Sequence, residues 1–380
     1  MPTSTVRPGL AGLVFTDPHH DPAWQHLVVP APPGSDLPSA ARDLDVDVVG
    51  AGRSRGLEEW VTETSSTSLL ALDRGTVVHE WYADGLSADT CFLGASMTKS
   101  VLAHLVGRAV RDGALALTDA VSGHVPELAG TGYDGTTVVD LLTMTTGVDW
   151  VEDHRDPHSL ASRLVGCFAS GSDSRALLRD VAPGVPPGSR FAYCTADSQV
   201  LDWVRERATG RSYVDDVARL WEALGCTRDA YLAVDGTGVA LAGGGLAATA
   251  RDWARVALLA VDGCGQGGER LHDRDWVEAA ARPAYPFLAV GRLPSSITTH
   301  AGFGYHWWPM DDAGRRVTAD GSRGQFACAD RRTGAVVVKT SQWPYDDFLV
   351  DRQARDLSYL GLHALLDSLG THHQTKEQTP

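Results

Sequence analysis

The chain lacks three features that would place it in a class at once: a long apolar run, closely spaced cysteine pairs and an excess of positive charge. No stretch approaches the ~20 consecutive apolar residues that a membrane-spanning helix needs. The apolar stretch at 10–15 is too short and too interrupted for a secretory signal. These absences predict a cytoplasmic protein that has no membrane partner.

Cysteine spacing and net charge exclude two further classes. The six cysteines lie far apart without a Cys-x-x-Cys pair, so they predict reduced thiols instead of a zinc site or a dense disulfide framework. The formal net charge is -15, with 48 acidic against 33 basic residues. Because such a surface repels a phosphate backbone, nucleic acid is not an expected partner.

The two ends of the chain are set apart by composition. With 380 residues, the chain has material for one large domain with an insertion or for two domains. Residues 1–41 are rich in Pro, Asp and His, which predicts an extended N-terminal arm. Within the arm, the Asp-Pro-His-His-Asp segment at 17–21 could chelate a metal or form a solvated loop. The polar residues 371–380 predict a frayed, disordered tail.

Strand-like segments near both ends enclose a helical middle. Hairpins are predicted from 68–72 with 77–82 and from 324–330 with 335–341. Helical periodicity marks 96–109, 137–145, 198–209, 213–224 and 352–366. We therefore predict an α+β fold in which an antiparallel sheet flanked by helices (residues 42–115 and 240–370) carries an inserted helical subdomain (residues 116–239).

The main chemical signal is Ser96-Met97-Thr98-Lys99, at the start of the helix predicted for 96–109. A serine hydroxyl is a weak nucleophile that needs a positioned base, and residues i and i+3 share a helix face. Burial beside the positive helix N-terminus would favour a neutral Lys99, and the same N-terminus offers N–H groups to an oxyanion. Alone the pattern is weak, because Ser-x-x-Lys also occurs as an ordinary N-cap followed by a solvated lysine.

Two further sequence elements, one before and one after Ser96-Met97-Thr98-Lys99, make this motif more specific. Phe92-Leu93-Gly94-Ala95 precedes it, and a Tyr-x-Thr element follows at Tyr193-Cys194-Thr195. With these parts the sequence resembles the class C β-lactamase-related serine hydrolases, whose Ser-x-x-Lys motif is shared by penicillin-binding proteins. It especially resembles the aminohexanoate-dimer (nylon-oligomer) hydrolases, over about residues 65–365 in one collinear order. The segments that carry this likeness are 96–100, 125–130, 133–135, 152–153, 156–157, 191–194, 249–252 and 341–344.

The resemblance implies a fold of the β-lactamase/transpeptidase type and a serine hydrolase that cleaves a linear amide or carboxylic ester through acyl-Ser96. It implies Tyr193 as the third catalytic group, a phenol or phenolate that moves a proton between Ser96, Lys99 and the leaving group. A nearby ammonium would lower the pKa of this phenol, although a packed core tyrosine is the alternative. The backbone N–H groups of Ser96 and Ser322 would hold the oxyanion.

The same resemblance implies that the reaction needs no metal or organic cofactor and that the partner is a small-molecule acyl substrate, and it suggests a homodimer.

Two alternative functions stay open. An acyltransferase would pass the acyl group to an amine or alcohol instead of water. A non-catalytic binding protein would keep only the scaffold, but the joint presence of Ser96, Lys99 and Tyr193 argues against it.

Two departures from the family pattern bear on the substrate. The Lys-Thr-Gly element of β-lactamases is represented by Ala319-Asp320-Gly321, so a usual anchor for a β-lactam carboxylate is missing. Gly321 would let a substrate backbone approach closely. His154 and Gly243 stand where the nylon-oligomer hydrolases carry Tyr and Asn. His154 could donate to a leaving nitrogen or be an exposed loop histidine.

Trp308 ends an aromatic run at 302–308, which could form an apolar wall of the cleft or belong to the core.

Two other motifs resemble known functional sites, but their sequence context argues against those functions. The segment 45–52 resembles a dinucleotide-binding strand and glycine turn, but a hairpin follows where strand-helix units would be needed. Around Ser54, residues 52–56 fit Gly-x-Ser-x-Gly, yet two arginines would crowd a nucleophile elbow.

Overall fold

Strands and helices are described for residues 25–343 and 352–377 in a computed structural model of the chain. The strands are β1 (Gln25–Val29), β2 (Val48–Gly50), β3 (Arg53–Arg55), β4 (Ser66–Asp73), β5 (Thr76–Tyr82), β6 (Cys91–Leu93), β7 (Ala230–Val234), β8 (Leu246–Thr249), β9 (Trp308–Pro309), β10 (Arg316–Gly321), β11 (Gln325–Asp330) and β12 (Ala335–Ser341). The helices are α1 (Leu57–Glu63), α2 (Met97–Arg111), α3 (Val121–His124), α4 (Val138–Thr143), α5 (Leu160–Ser170), α6 (Ser174–Leu178), α7 (Thr195–Thr209), α8 (Tyr213–Leu224), α9 (Ala250–Asp262), α10 (Arg274–Ala280) and α11 (Arg352–Glu377).

Six strands form the main sheet in the order β5-β4-β12-β11-β10-β9, and each neighbouring pair is antiparallel. Both predicted hairpins are confirmed as β4–β5 and β11–β12. Arg74 and Gly75 both have positive φ in the first turn, which suits the twist of a two-residue hairpin. In the second turn, the Asp330 carboxylate accepts from the N–H groups of Arg332 and Thr333. The pairing of β12 with β4 joins strands from opposite ends of the chain.

Helices cover both faces of this sheet. α2 and α9 contact strands on one face, and α1 and α11 contact strands on the other. Along β12, Val336 and Val338 belong to the core cluster that includes α2 and α9, whereas Val337 belongs to the cluster that includes α11. This alternation explains why every residue of β12 is buried. The predicted α+β architecture, an antiparallel sheet flanked by helices, is confirmed.

The named elements between β6 and β7 are all helices, from α2 to α8. The helix α7 begins three residues before the predicted start, so Tyr193 and Cys194 lie directly before its N-terminus. One core cluster contains Leu141 and Leu201 from this middle region together with Leu70 from the sheet. The division at 116–239 therefore stays a prediction, because a shared core does not mark a boundary.

The ends of the chain differ from the prediction in two respects. Within the N-terminal arm, β1 pairs with β7 and completes a second sheet of order β1-β7-β8-β6. This partner is distant in sequence, so local periodicity could not indicate it. The helix α11 continues to Glu377, which corrects the prediction of a frayed tail as far as that residue, since no Pro or Gly interrupts 371–377. The metal alternative for 17–21 lies outside the described residues.

The structure supports neither a dinucleotide-binding turn at 45–52 nor a nucleophile elbow at 52–56. β2 and β3 form an antiparallel pair, and no strand-helix repeat follows them within residues 25–343. Ser54 is exposed on β3 and is not at a strand-to-helix turn. Among the described helices, none has the length and apolar character required to cross a membrane.

Lys339 is a buried lysine on the α11 side of the sheet. Its Nζ donates to Ser341 Oγ and lies 5.5 Å from the Trp60 ring centroid and 6.0 Å from that of Phe326. The rings would stabilise an ammonium, but burial outweighs them and lowers the pKa of Lys339 to about 7.

Replacing Lys339 with Met is expected to flatten the dependence of stability on pH. Between about pH 7 and 10.5 the unfolded chain holds a proton that folded Lys339 releases, so the free energy of unfolding of the wild type rises with pH. The rise is on the order of 1 kcal/mol per pH unit. Urea unfolding of both proteins from pH 7.5 to 9.5 measures it. Equal slopes would contradict the assignment of a neutral Lys339.

Candidate active site

Ser96 stands at the turn that connects β6 to α2. Ala95 before it has φ of 45°, an uncommon conformation for a residue with a side chain. At Gly94, a Cβ would lie 2.2 Å from the Trp253 ring, so only glycine lets the turn pack there. Ser96 itself is the N-cap of α2 and remains partly exposed. The turn therefore presents the Ser96 hydroxyl at the surface of an otherwise buried helix start.

Lys99 lies one helical turn further along α2 and is buried, with 3% of its surface exposed. Its Nζ is 3.0 Å from Ser96 Oγ, 3.2 Å from Thr195 Oγ1 and 2.6 Å from the Gly243 carbonyl oxygen. Burial lowers the pKa of Lys99 to about 8, against the opposing charge of Glu152. Lys99 can therefore supply a neutral amine next to the Ser96 hydroxyl near neutral pH.

Tyr193, which the family resemblance implies as the third catalytic group, lies next to Ser96 and Lys99. Its hydroxyl is hydrogen-bonded to Ser96, and the Lys99 Nζ lies 5.1 Å from the centroid of its ring. Burial raises the pKa of Tyr193 well above its usual value, although the bond to Ser96 acts in the opposite direction. The prediction of a lowered pKa is wrong, because the loss of water outweighs the nearby lysine. Tyr193 is therefore a protonated phenol.

Glu152 is the site residue whose role the sequence analysis missed. Its buried carboxylate accepts from Trp150 Nε1 at 2.7 Å, from His154 Nε2 at 3.0 Å and from the Thr195 backbone N–H at 2.9 Å. The Thr195 hydroxyl donates a further, short bond to Glu152 Oε1. Burial alone would raise the pKa of Glu152, but the bond from His154 and the charge of Lys99 lower it to about 2. The Glu-Asp segment of the family pattern was the available signal, but it carries no information on these partners.

The end of β10 packs against the turn that holds Ser96. A Cβ on Gly321 would lie 2.2 Å from the Gly94 carbonyl oxygen, so this glycine permits contact between the two backbones. Ser322 follows immediately and is exposed. The neighbouring Asp320 carboxylate is turned towards α11, where it accepts from Arg355 at 2.8 Å and from the Tyr359 hydroxyl at 2.7 Å.

The predicted substrate contacts fall in different places. His154 is 45% exposed at the side chain and donates to Glu152. Gly243 lies beside Lys99: its carbonyl accepts from Nζ, and a Cβ there would lie 2.9 Å from Thr195 Cγ2. Gly243 thus contacts the proposed base, and its contact with a substrate stays a prediction.

The aromatic run at 302–308 divides between two environments. Trp308 stacks on Tyr193 with ring centroids 5.8 Å apart, and Phe303 meets the Tyr193 edge at 6.5 Å. Tyr305 packs instead on Trp276. Phe303 and Trp308 are both buried core residues that pack behind Tyr193, and contact of Trp308 with a substrate stays a prediction. In the described part of the chain, no group of three or more His, Cys, Asp or Glu side chains is arranged to hold a metal ion.

Comparison with known proteins agrees with this geometry. Residues 57–360 match the beta-lactamase family, and the chain belongs to that family. It is a serine hydrolase of the beta-lactamase-like class.

The chain is similar to a known hydrolase in sequence and to several solved structures in fold. The chain is 33% identical over 308 residues to the 6-aminohexanoate-dimer hydrolase of Paenarthrobacter ureafaciens, an alignment that covers 78% of each chain. A solved structure from Bacillus anthracis, provisionally assigned as a 6-aminohexanoate-dimer hydrolase, has a TM-score of 0.79 and 22% identity, and covers 98% of this chain and 99% of its own. The octameric penicillin-binding protein homologue from Pyrococcus abyssi has a TM-score of 0.62 and 20% identity, and covers 83% of this chain and 76% of its own. These two structures support the fold.

Proposed function

We propose that this enzyme hydrolyses a linear amide or carboxylic ester through an acyl-Ser96 intermediate. The observation that carries the proposal is the convergence of two proton-carrying groups on one hydroxyl: Lys99 Nζ lies 3.0 Å from Ser96 Oγ, and the Tyr193 hydroxyl is hydrogen-bonded to the same serine. A buried amine with a pKa of about 8 and a protonated phenol can act as base and acid in the same step.

In acylation, Ser96 Oγ attacks the substrate carbonyl carbon while its proton passes to Lys99 Nζ. A bond forms from Oγ to this carbon, and the carbonyl oxygen becomes an oxyanion that the Ser96 and Ser322 N–H groups hold. The bond to the leaving nitrogen or oxygen then breaks. Tyr193 gives its proton to the leaving group and regains one from the Lys99 ammonium, so both groups return to their starting states and the serine proton departs with the amine or alcohol.

In deacylation, a water molecule gives a proton to Lys99 and attacks the acyl carbon. The ester bond to Ser96 breaks, Oγ regains the proton, and the carboxylic acid leaves. All groups return to their starting protonation states. The sequence of steps requires no metal or organic cofactor.

Three observations support an uncharged, partly apolar linear substrate. The buried rings of Phe303 and Trp308 make the surroundings of Tyr193 apolar. Position 319, within the element where β-lactamases carry a lysine, is a buried alanine. The Arg355 cation on the other side of β10 is paired with Asp320. The Paenarthrobacter relative is named for a linear amide, which supports testing amides first, with His154 as a donor to the leaving nitrogen.

The proposal is tested by reacting the protein with an activated phosphonate and locating the adduct by mass spectrometry. We expect one adduct, at Ser96, together with turnover of p-nitrophenyl esters and of a series of linear amides. Ser96→Ala should lose both. Ser54→Ala, which removes the exposed serine of the Gly-x-Ser-x-Gly motif, is the matched control and should keep both.

Each outcome of this assay is informative. No adduct and no turnover would overturn the proposal in favour of a binding protein. If added amines or alcohols divert the acyl product and accelerate turnover, the enzyme is a transferase and the assignment of water as acceptor is wrong. An adduct at another serine would overturn the site itself.

A further inference from the structure

The hydrogen-bond donors and acceptors around Lys99 can be assigned one by one, starting from Glu152. An ionised carboxylate only accepts, so the short contact between Thr195 Oγ1 and Glu152 must use the threonine proton. The lone pairs of Thr195 Oγ1 are then left to accept from Lys99 Nζ at 3.2 Å. The Gly243 carbonyl, which also only accepts, takes a second N–H of Lys99 at 2.6 Å.

A neutral lysine amine has two N–H groups and one lone pair. With both N–H groups directed to Thr195 and Gly243, the lone pair is left for the remaining neighbour, Ser96 Oγ at 3.0 Å. That is the orientation in which the amine can take the serine proton. The orientation depends on Glu152, because a threonine that donated its proton to Lys99 would turn the lone pair away from Ser96.

We infer that Glu152 is a positioning residue that acts through the Thr195 hydroxyl to direct the lone pair of Lys99 at Ser96. The inference rests on the proposed acyl-Ser96 mechanism and extends it to a carboxylate that itself touches neither Ser96 nor Lys99 by a hydrogen bond. Glu152 is held for this task by Trp150 and His154, which occupy its remaining lone pairs.

Other titratable groups face this chain of hydrogen bonds, and their states constrain its pH dependence. Cys194 and Tyr193, before α7, both have pKa values raised by burial, so neither ionises near neutral pH. Burial and the charge of Lys99 lower the pKa of His306 to about 3. Asp197 is the neighbour that titrates near neutrality, because burial raises its pKa to about 7.

The test is the pH dependence of Ser96 phosphonylation in variants of Glu152 and Thr195. In Glu152→Gln the charge that favours the Lys99 ammonium is lost, so the half-maximal pH should fall by about 1 unit. Its limiting rate should fall roughly 10-fold, a part of the 10²–10⁴-fold that a whole general base contributes. Thr195→Val should lose a similar factor without the acid shift, since Glu152 keeps its charge. Thr195→Ser restores the hydroxyl and should recover most of that rate.

The matched control is Asp153→Asn, which removes the adjacent carboxylate. Asp153 is paired with Arg155 and has no bond to Thr195 or Lys99 among its described contacts, so the wild-type profile should persist. The acid shift of Glu152→Gln should also be seen in an Asp197→Asn background, which removes the competing titration. Thermal unfolding of each variant verifies that it is folded.

The outcomes separate this inference from the proposed function. A Glu152→Gln protein with the limiting rate of the wild type overturns the inference, because the Lys99 lone pair would then be directed without Glu152. The half-maximal pH reports the charge of Glu152 acting on Lys99 and checks that Lys99 is the titrating group. A Thr195→Ser protein as slow as Thr195→Val also overturns it. Failure of the wild type to form an adduct at Ser96 would instead overturn the proposed mechanism.

Discussion

Replacing Lys99 with Met is expected to reduce the rate of Ser96 acylation by roughly 10²–10⁴-fold, the usual contribution of a general base. Methionine fills nearly the same buried volume but cannot accept the serine proton. In the wild type the rate should rise with pH through about 8, because the proton must leave the Lys99 ammonium before the amine can act. The variant should lose this rise. Phosphonate kinetics between pH 6 and 9.5 measure both effects.

Lys339→Met is the matched control for this experiment, since it also exchanges a buried lysine for methionine. Lys339 lies on the α11 side of the sheet among aromatic rings, and none of its described contacts is with Ser96 or Tyr193. Its acylation rate should match the wild type. A Lys99→Met enzyme that acylates at a near-normal rate would refute Lys99 as the base.

Replacing Tyr193 with Phe is expected to affect amides far more than activated esters. An amide nitrogen leaves only when it is protonated, and the Tyr193 hydroxyl is the donor that we assign to this step, so kcat/KM for a linear amide should fall roughly 10²–10⁴-fold. A p-nitrophenolate leaves without a proton, so the ester with the same acyl group should lose much less. The ratio of the two losses is the measurement.

Tyr213→Phe provides a comparison in another buried tyrosine. Its hydroxyl has no hydrogen-bond partner in the described part of the chain, so both substrates should be cleaved at wild-type rates. Equal losses for amide and ester in Tyr193→Phe would place the phenol in serine activation instead of leaving-group protonation. The stacking of Tyr193 on Trp308 does not require the hydroxyl, so the variant should keep its ring in place.

The parts of this site that the sequence predicts are those whose geometry is local. Ser96 and Lys99 are one helical turn apart, so a helix start places them together in any fold. Tyr193 has no such local constraint, and only the ordered family resemblance indicated it. Its proton state was predicted incorrectly, because a neighbouring charge can be inferred from a motif whereas the extent of burial cannot.

Glu152 and Gly243 also show that a local sequence pattern does not reveal contacts between distant segments. Glu152 is part of a segment of the family pattern, yet its role depends on Thr195, 43 residues later, which reaches it only through the fold. Gly243 was predicted only as a substrate contact, and no sequence signal indicated that its carbonyl accepts a hydrogen bond from Lys99. In both cases the partner atoms belong to segments whose approach is a product of tertiary packing.

The sequence by itself determined the two hairpins, most of the main helices and the Ser96–Lys99 pair, because turn residues, periodicity and helical spacing act over a few residues. Tertiary structure alone decided that β1 completes a second sheet, that Tyr193 stays protonated and that Glu152 is connected to Lys99 through Thr195. These properties depend on removal from water and on contacts between distant segments, and both arise only when the whole chain is packed.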